Sequence, residues 1–210
     1  DQYLRLFVLD FKTGALVRTI DTTIPYAFAG SMLNATIDTD SDYQDDVVYI
    51  PYVKRTGTSP NFSWTEGGIG RLVTREDLNG NDIRAEGNTA LNPANWRWSV
   101  VMDNIGPVTS SVANLINKNR GELWLYFGTG RYYFEQGVNT DDATGQRQIF
   151  GIKEPCFSRA GFDSNCGLFR SFCTTPTTSN PCGDLRNVTD MANAPSNPTV
   201  VGYNGWYIKL

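Results

Sequence analysis

Histidine is absent from the 210 residues. With it go the usual general base near neutral pH, the commonest zinc and haem ligand, and every Ser–His or Cys–His nucleophilic pair. Enzymatic chemistry would then fall to carboxylates or to a bound cofactor. Positive charge is also scarce: 18 lysines and arginines stand against 22 acidic residues, for a net charge of -4 and a pI near 4.8. No basic cluster occurs, which argues against counterion-driven binding to nucleic acid or to an anionic membrane. Apolar runs long enough to cross a bilayer as a helix are missing. No initiator methionine or leader segment is visible. No stretch beyond about ten residues has helical periodicity, a short turn near Pro93 to Trp96 apart. What remains is 40% hydrophobic and 19% charged. That is the composition of an ordered globular protein, long enough for one large all-β domain or two small ones.

Short aromatic and β-branched runs recur between Gly, Asn and Asp turns. Leu4 to Leu9 and Ala15 to Ile20 read as a hairpin closed by Asp10-Phe11-Lys12-Thr13-Gly14. Further strands are expected at Val47 to Val53, Gly70 to Thr74, Trp96 to Met102, Leu123 to Phe127, Ile149 to Ile152 and Trp206 to Leu210. Many short strands with regular turns point to a sandwich, a barrel or a propeller. The Asp/Thr-Gly hairpin and the roughly 40–50-residue spacing of strand–turn units favour a β-propeller. A chain of this length supplies about four or five blades, so closure of the ring needs further sequence.

Cys156, Cys166, Cys173 and Cys182 all fall in one Gly/Pro/Ser/Thr/Asn-rich stretch. An even count in a loop-rich segment without a CxxC pair points to two disulfides and an oxidising compartment rather than to zinc. Pairing of neighbours, Cys156 with Cys166 and Cys173 with Cys182, is the simplest connectivity, and the sequence leaves the others open. The expected organisation is therefore blades over 1–154, a disulfide-rich insertion over 155–198, and a closing strand within 199–210. The chain is expected to be a mature or proteolysed piece of a longer exported protein.

The densest chemistry lies in IDTDSDYQDDVVYI. Asp38, Asp40, Asp42 and Asp46 occupy positions 1, 3, 5 and 9 of a DxDxDxxxD loop, and the carbonyl of Gln44 at position 7 adds an oxygen. Ca2+ takes six to eight oxygens at about 2.3–2.6 Å, which alternate carboxylates in a coiled loop supply. The alternative is a solvated acidic turn. Against it, so many like charges repel unless neutralised, and Ile37, Val47 and Val48 anchor both ends. Position 6, usually glycine, is Tyr43. Asp45 is placed outside the first ligand shell. Asp77, Asn79 and Asp82, and separately Asp141 and Asp142, are weaker metal candidates; Asn79-Gly80 is equally a hairpin turn.

The acidic loop with its strand, then GGIGRLVTRED, PANWRWSVV, GPVTSSV, LWLYFGTGRYYF, QIFGI and GWYIKL, occur in this order over about 200 residues. Together they resemble the C-terminal propeller of the PilY-type type IV pilus biogenesis and tip-adhesin family. The acidic loop and YFGTGRYY are the most specific elements. The resemblance implies an exported, non-enzymatic protein of the pilus tip whose calcium site regulates pilus extension against retraction and supports surface attachment. Pilins and a host or abiotic surface are the implied partners. The ligands it implies are Asp38, Asp40, Asp42, Gln44 and Asp46, with Asp42 where the family often has Asn. The cysteine-bearing segment matches nothing in the family pattern.

Two other functions stay open. LDFKTGALV also resembles blades of quinoprotein dehydrogenases, which would need a catalytic carboxylate and a cofactor pocket in a complete ring. A lectin-like propeller would bind through the cysteine segment. Gly128 and Gly130 are expected to allow a strand bend, and the five tryptophans (Trp64, Trp96, Trp98, Trp124 and Trp206) to pack between blades rather than form a sugar platform.

Overall fold

The computed structural model describes residues 2–39, 41, 43–74, 93–131, 147–158, 185–189 and 204–210, together with the backbone of 161–162. The all-β class is observed. Among the described residues there is no α-helix, and a single 3-10 turn, Pro93–Asn95, falls where a short turn was expected. Three layers of sheet stack on one another.

The first layer is a hairpin of β1 (Tyr3–Leu9) and β2 (Leu16–Pro25), paired antiparallel. Its turn is made locally. The Asp10 carboxylate accepts from the Lys12 and Thr13 amides and the Thr13 hydroxyl, and Gly14 takes a φ of 69°. The Thr13 hydroxyl, then its amide, hold the Asp10 carboxyl below the usual carboxylate range.

The central sheet contains β3 (Ala27–Ala29), β4 (Thr36–Ile37), β5 (Val47–Thr58), β6 (Asn61–Val73) and β7 (Arg97–Asp103). Its order is β3-β5-β6-β7, with β4 sharing the β3 edge of β5. Pro51 explains why that edge is broken. A proline has no amide to give to a ladder. On that edge β4 pairs with Val47 and Val48 and β3 with Tyr52 to Lys54, so the proline faces the interruption. There the Pro51 carbonyl accepts from Gly30, and the Tyr49 amide donates to Ala35.

The third layer has the order β13-β14-β10-β9-β8. Its strands are β8 (Ala113–Asn117), β9 (Glu122–Gly128), β10 (Gln148–Lys153), β13 (Arg186–Asn187) and β14 (Gly205–Lys209). A small pair, β11 (Phe157–Ser158) with β12 (Gly161–Phe162), follows β10. The expected last strand thus pairs antiparallel with β10, on the side away from β9.

Both larger sheets contain four antiparallel strands side by side, three of them consecutive in the chain: β5-β6-β7 in the central sheet and β8-β9-β10 in the third layer. None of the sheets closes on itself among the described residues. Where turn spacing predicts four or five blade-sized units, the described residues form the β1–β2 hairpin, two larger sheets and the small β11–β12 pair. The reason is length: β5 and β6 run for 12 and 13 residues and absorb chain that short strands would have left over.

Burial follows the period of two. Inward residues of β5 to β7 (Val47, Tyr49, Ile69, Val101) meet inward residues of β9, β10 and β14 (Leu123, Leu125, Phe127, Phe150, Ile152, Tyr207) in the largest core. At about 1.5–3 kcal/mol for each fully buried large apolar side chain, this contact dominates the attachment of the two sheets. The other face of the central sheet holds the hairpin through Leu4, Ile20 and Ile24 against Tyr52, Ile50 and Leu72.

Candidate functional site

Pairing of Ile37 with Val47 pinches off residues 38–46 between β4 and β5. The Asp46 amide donates to the Ile37 carbonyl at 2.8 Å, closing the neck. Within the loop the chain coils around the Asp38 carboxylate, whose two oxygens accept from the Ser41 amide (2.7 Å) and the Tyr43 amide (2.9 Å). Ser41 and Tyr43 both lie in the left-handed region, at φ 71° and 69°. Tyr43 therefore adopts the conformation that glycine usually supplies at position 6. Its side chain is 98% exposed, so no contact of the ring obstructs the turn.

Asp46 is buried, and its Oδ2 accepts from the amide of Thr39 at 2.8 Å and from the Thr39 hydroxyl. The Thr74 amide donates to the Asp46 carbonyl, and the Thr74 hydroxyl to that of Asp45, so the end of β6 ties down the loop's exit. From the third layer Lys118 donates to the Ser41 hydroxyl at 3.0 Å.

Of the five residues expected to bind a metal, Asp38, Gln44 and Asp46 are thus placed on one loop, while Asp40 and Asp42 lie outside the described residues. No cluster of three or more acidic, Cys or His groups with metal-holding geometry occurs among the described residues. The donor set is all oxygen, which suits a hard cation. The weaker candidates Asp77, Asn79, Asp82, Asp141 and Asp142 also lie outside the described residues.

A second polar constellation carries no sequence motif. Arg71 on β6, Tyr49 on β5, Ser99 on β7 and Glu154 just after β10 meet between the two large sheets, and Arg71 and Glu154 are 1% and 3% exposed. Arg71 donates from Nε to the Ser99 hydroxyl at 3.1 Å and forms an ion pair with Glu154 Oε1. The other oxygen of Glu154 accepts from the Tyr49 hydroxyl at 2.6 Å, and Oε1 also accepts from the Cys156 amide at 2.9 Å. Burial, then the adjacent Glu154 charge, push the Tyr49 hydroxyl well above its ordinary range, so it stays a donor. Cys156 is buried, and Cys166, Cys173 and Cys182 lie outside the described residues.

At the far end of the central sheet Asp103 pairs with Lys54 (2.6 Å) and accepts from the Tyr52 hydroxyl (2.8 Å). Burial raises the neighbouring Glu66 carboxyl, with Asp103 adding to the rise against Lys54. Gly130, in the expected bend, takes φ 128° and donates to the Pro107 carbonyl. Trp96 and Trp98 pack against the hairpin core, whereas Trp124 and Trp206 lie on the far face of the third layer.

No protein-family model, curated protein or solved structure matches this chain. The function therefore has to be argued from these residues. Sequence reasoning missed the Arg71–Glu154 pair. The available signal was an arginine within an otherwise apolar strand (GGIGRLV) and a glutamate directly after another (IFGIKE).

Proposed function

We propose that this chain is a calcium-binding, non-enzymatic module of an exported PilY-type type IV pilus protein, built on β-propeller blades. In this reading the two four-stranded antiparallel units are blades, and the cysteine segment is a disulfide-stapled insertion outside the blade pattern. The observation that carries the calcium assignment is the coil of 38–46 around Asp38, with left-handed turns at Ser41 and Tyr43. In the sequence the alternate positions at the start of this loop are Asp38, Asp40 and Asp42, the spacing of carboxylates that a calcium loop uses. The anchoring of both ends to β4, β5 and Thr74 makes the loop part of the sheet rather than a tail.

Calcium neutralises carboxylates that otherwise repel, and it tightens the loop against the start of β5. Because β5 runs through the main core, loop order is transmitted to the packing of the two large sheets. A change in that packing is the switch by which occupancy alters engagement of pilins or a surface.

Calorimetric titration tests the reading. Wild type is expected to bind one Ca2+ saturably, with Mg2+ competing weakly, and Asp40→Asn/Asp42→Asn to lose at least tenfold in affinity. Equal, weak heats from both proteins would sink it.

A further inference from the structure

The chain passes from the central sheet to the third layer through residues 104–112, between the end of β7 and the start of β8. This strap has the sequence NIGPVTSSV and carries no titratable side chain. It is seated on glycines. A β carbon on Gly67 would stand 2.9 Å from the Gly106 carbonyl oxygen, and one on Gly30 would stand 2.8 Å from that of Val108. From these seats the strap binds both sheets. On the central sheet the Ile105 amide donates to Gly67 and the Val108 amide to Tyr52. Just beyond β9 the Gly130 amide donates to Pro107, and the Thr109 hydroxyl donates to the Gly130 carbonyl at 3.0 Å. Val108 and Val112 are buried in the core between the sheets.

The root of the strap stands among charges. Asp103, the last residue of β7, accepts at Oδ1 from Lys54, from the Tyr52 hydroxyl and from the Asn104 amide. Lys54 also donates to the Asn104 side-chain oxygen at 2.7 Å. Glu66 is the cross-strand partner of Lys54 and directly precedes Gly67. Its carboxyl accepts from the Gly106 amide of the strap, yet its Oε2 is buried and has no hydrogen-bond partner among the described residues. An ionised carboxylate with a desolvated, unbonded oxygen beside a second carboxylate is disfavoured, and a proton removes that charge. The charged groups that act on Glu66 are Asp103 from β7 and Lys54 from β5; burial and Asp103 raise its carboxyl, against Lys54. Tyr52, also from β5, stays a neutral donor because burial raises its hydroxyl. When the strap lifts, Glu66 is hydrated and regains the ordinary carboxylate affinity for protons. The seated strap therefore holds the proton more tightly than the lifted one. Its extra stability is present below the ordinary carboxylate range and is lost as pH rises through the raised value.

We infer that Glu66 is a proton-operated latch for the 104–112 strap. Protonated, it keeps the strap seated across Gly67; ionised, it loosens the strap's root and with it the hydrogen-bonded link between the central sheet and the third layer. The latch does not depend on the calcium reading.

Amide hydrogen exchange on the 210-residue chain between pH 4 and 8, corrected for intrinsic rates, tests it alongside a direct NMR titration of the Glu66 carboxyl. Wild-type protection at Ile105 and Val108 is expected to fall by about threefold or more as pH rises, with the same midpoint as the carboxyl. In Glu66→Gln, neutral throughout and nearly isosteric, protection at both amides should stay level. The amides of the β9–β10 ladder should not follow the Glu66 midpoint in either protein. Wild-type protection that stays level, an equal fall in Glu66→Gln, or a midpoint different from that of the carboxyl would each overturn the inference. The comparison of midpoints needs wild type alone, so it stands even if the variant folds poorly.

Discussion

Replacing Glu154 with leucine would strand the Arg71 guanidinium between two sheets, with the Ser99 hydroxyl its remaining partner in that network. The Tyr49 hydroxyl and the Cys156 amide would lose their acceptor in the same step. Removing one member of a buried ion pair costs about 3–5 kcal/mol, because the other charge is left desolvated. For a domain of this size that is a fall in thermal midpoint of roughly 6–20 °C, at about 2–4 °C per kcal/mol. Exchanging both members, Arg71→Met with Glu154→Leu, removes the stranded charge. The double variant should therefore lie within about 1–2 kcal/mol of wild type, far less than the two single losses added together. Urea denaturation of wild type, both singles and the double, followed by tryptophan fluorescence, measures the cycle. Single losses under about 1 kcal/mol, or losses that simply add, would refute the claim that this pair is a desolvated unit joining the sheets.

Three further outcomes follow from particular side chains. Tyr43→Gly should leave stability unchanged or raise it by up to about 1 kcal/mol, since an L residue pays to sit in the left-handed region and this ring is exposed; Tyr43→Val should be clearly less stable, and urea midpoints distinguish them. Gly70→Ala should destabilise by about 1–3 kcal/mol and change tryptophan fluorescence, because the added carbon displaces the Trp98 indole enclosed by the hairpin. Glu66 gives a pH signature. Its folded-state carboxyl is raised by burial, so its contribution to stability is present below the ordinary carboxylate range and is lost as pH rises through the raised value. Glu66→Gln should therefore be more stable than wild type at neutral pH, with the gap closing on acidification; thermal midpoints between pH 3 and 8 check the sign.

Local physics was legible in the sequence wherever a few neighbouring residues decide the outcome. The all-β class, the hairpin whose turn Asp10, Thr13 and Gly14 close, and the strands around Val47, Leu123 and Trp206 follow from alternation and turn chemistry alone. Asp38 and Asp46 stand on one loop because the flanking apolar residues, Ile37 and Val47, pair. Residues 61–69 of β6 and all of β8 were missed. Thr, Ser and Glu in the former and Asn in the latter mask the period of two, and cross-strand partners rather than propensity hold them in place. The break opposite Pro51 needed knowledge of which edge of β5 it faces.

The acidic loop shows the division most clearly. Sequence alone places its carboxylates at alternate positions and puts Tyr43 where glycine usually makes a left-handed turn. Only the folded loop decided that Tyr43 makes the turn, because amide bonds to Asp38 and the clasp of Thr39, Asp46 and Thr74 hold the backbone there. Likewise, Arg71 and Glu154 stand 83 residues apart in the chain, and nothing local marks them as partners. Propensity and spacing are properties of neighbours in sequence; charge burial is a property of neighbours in space, created when the sheets stack.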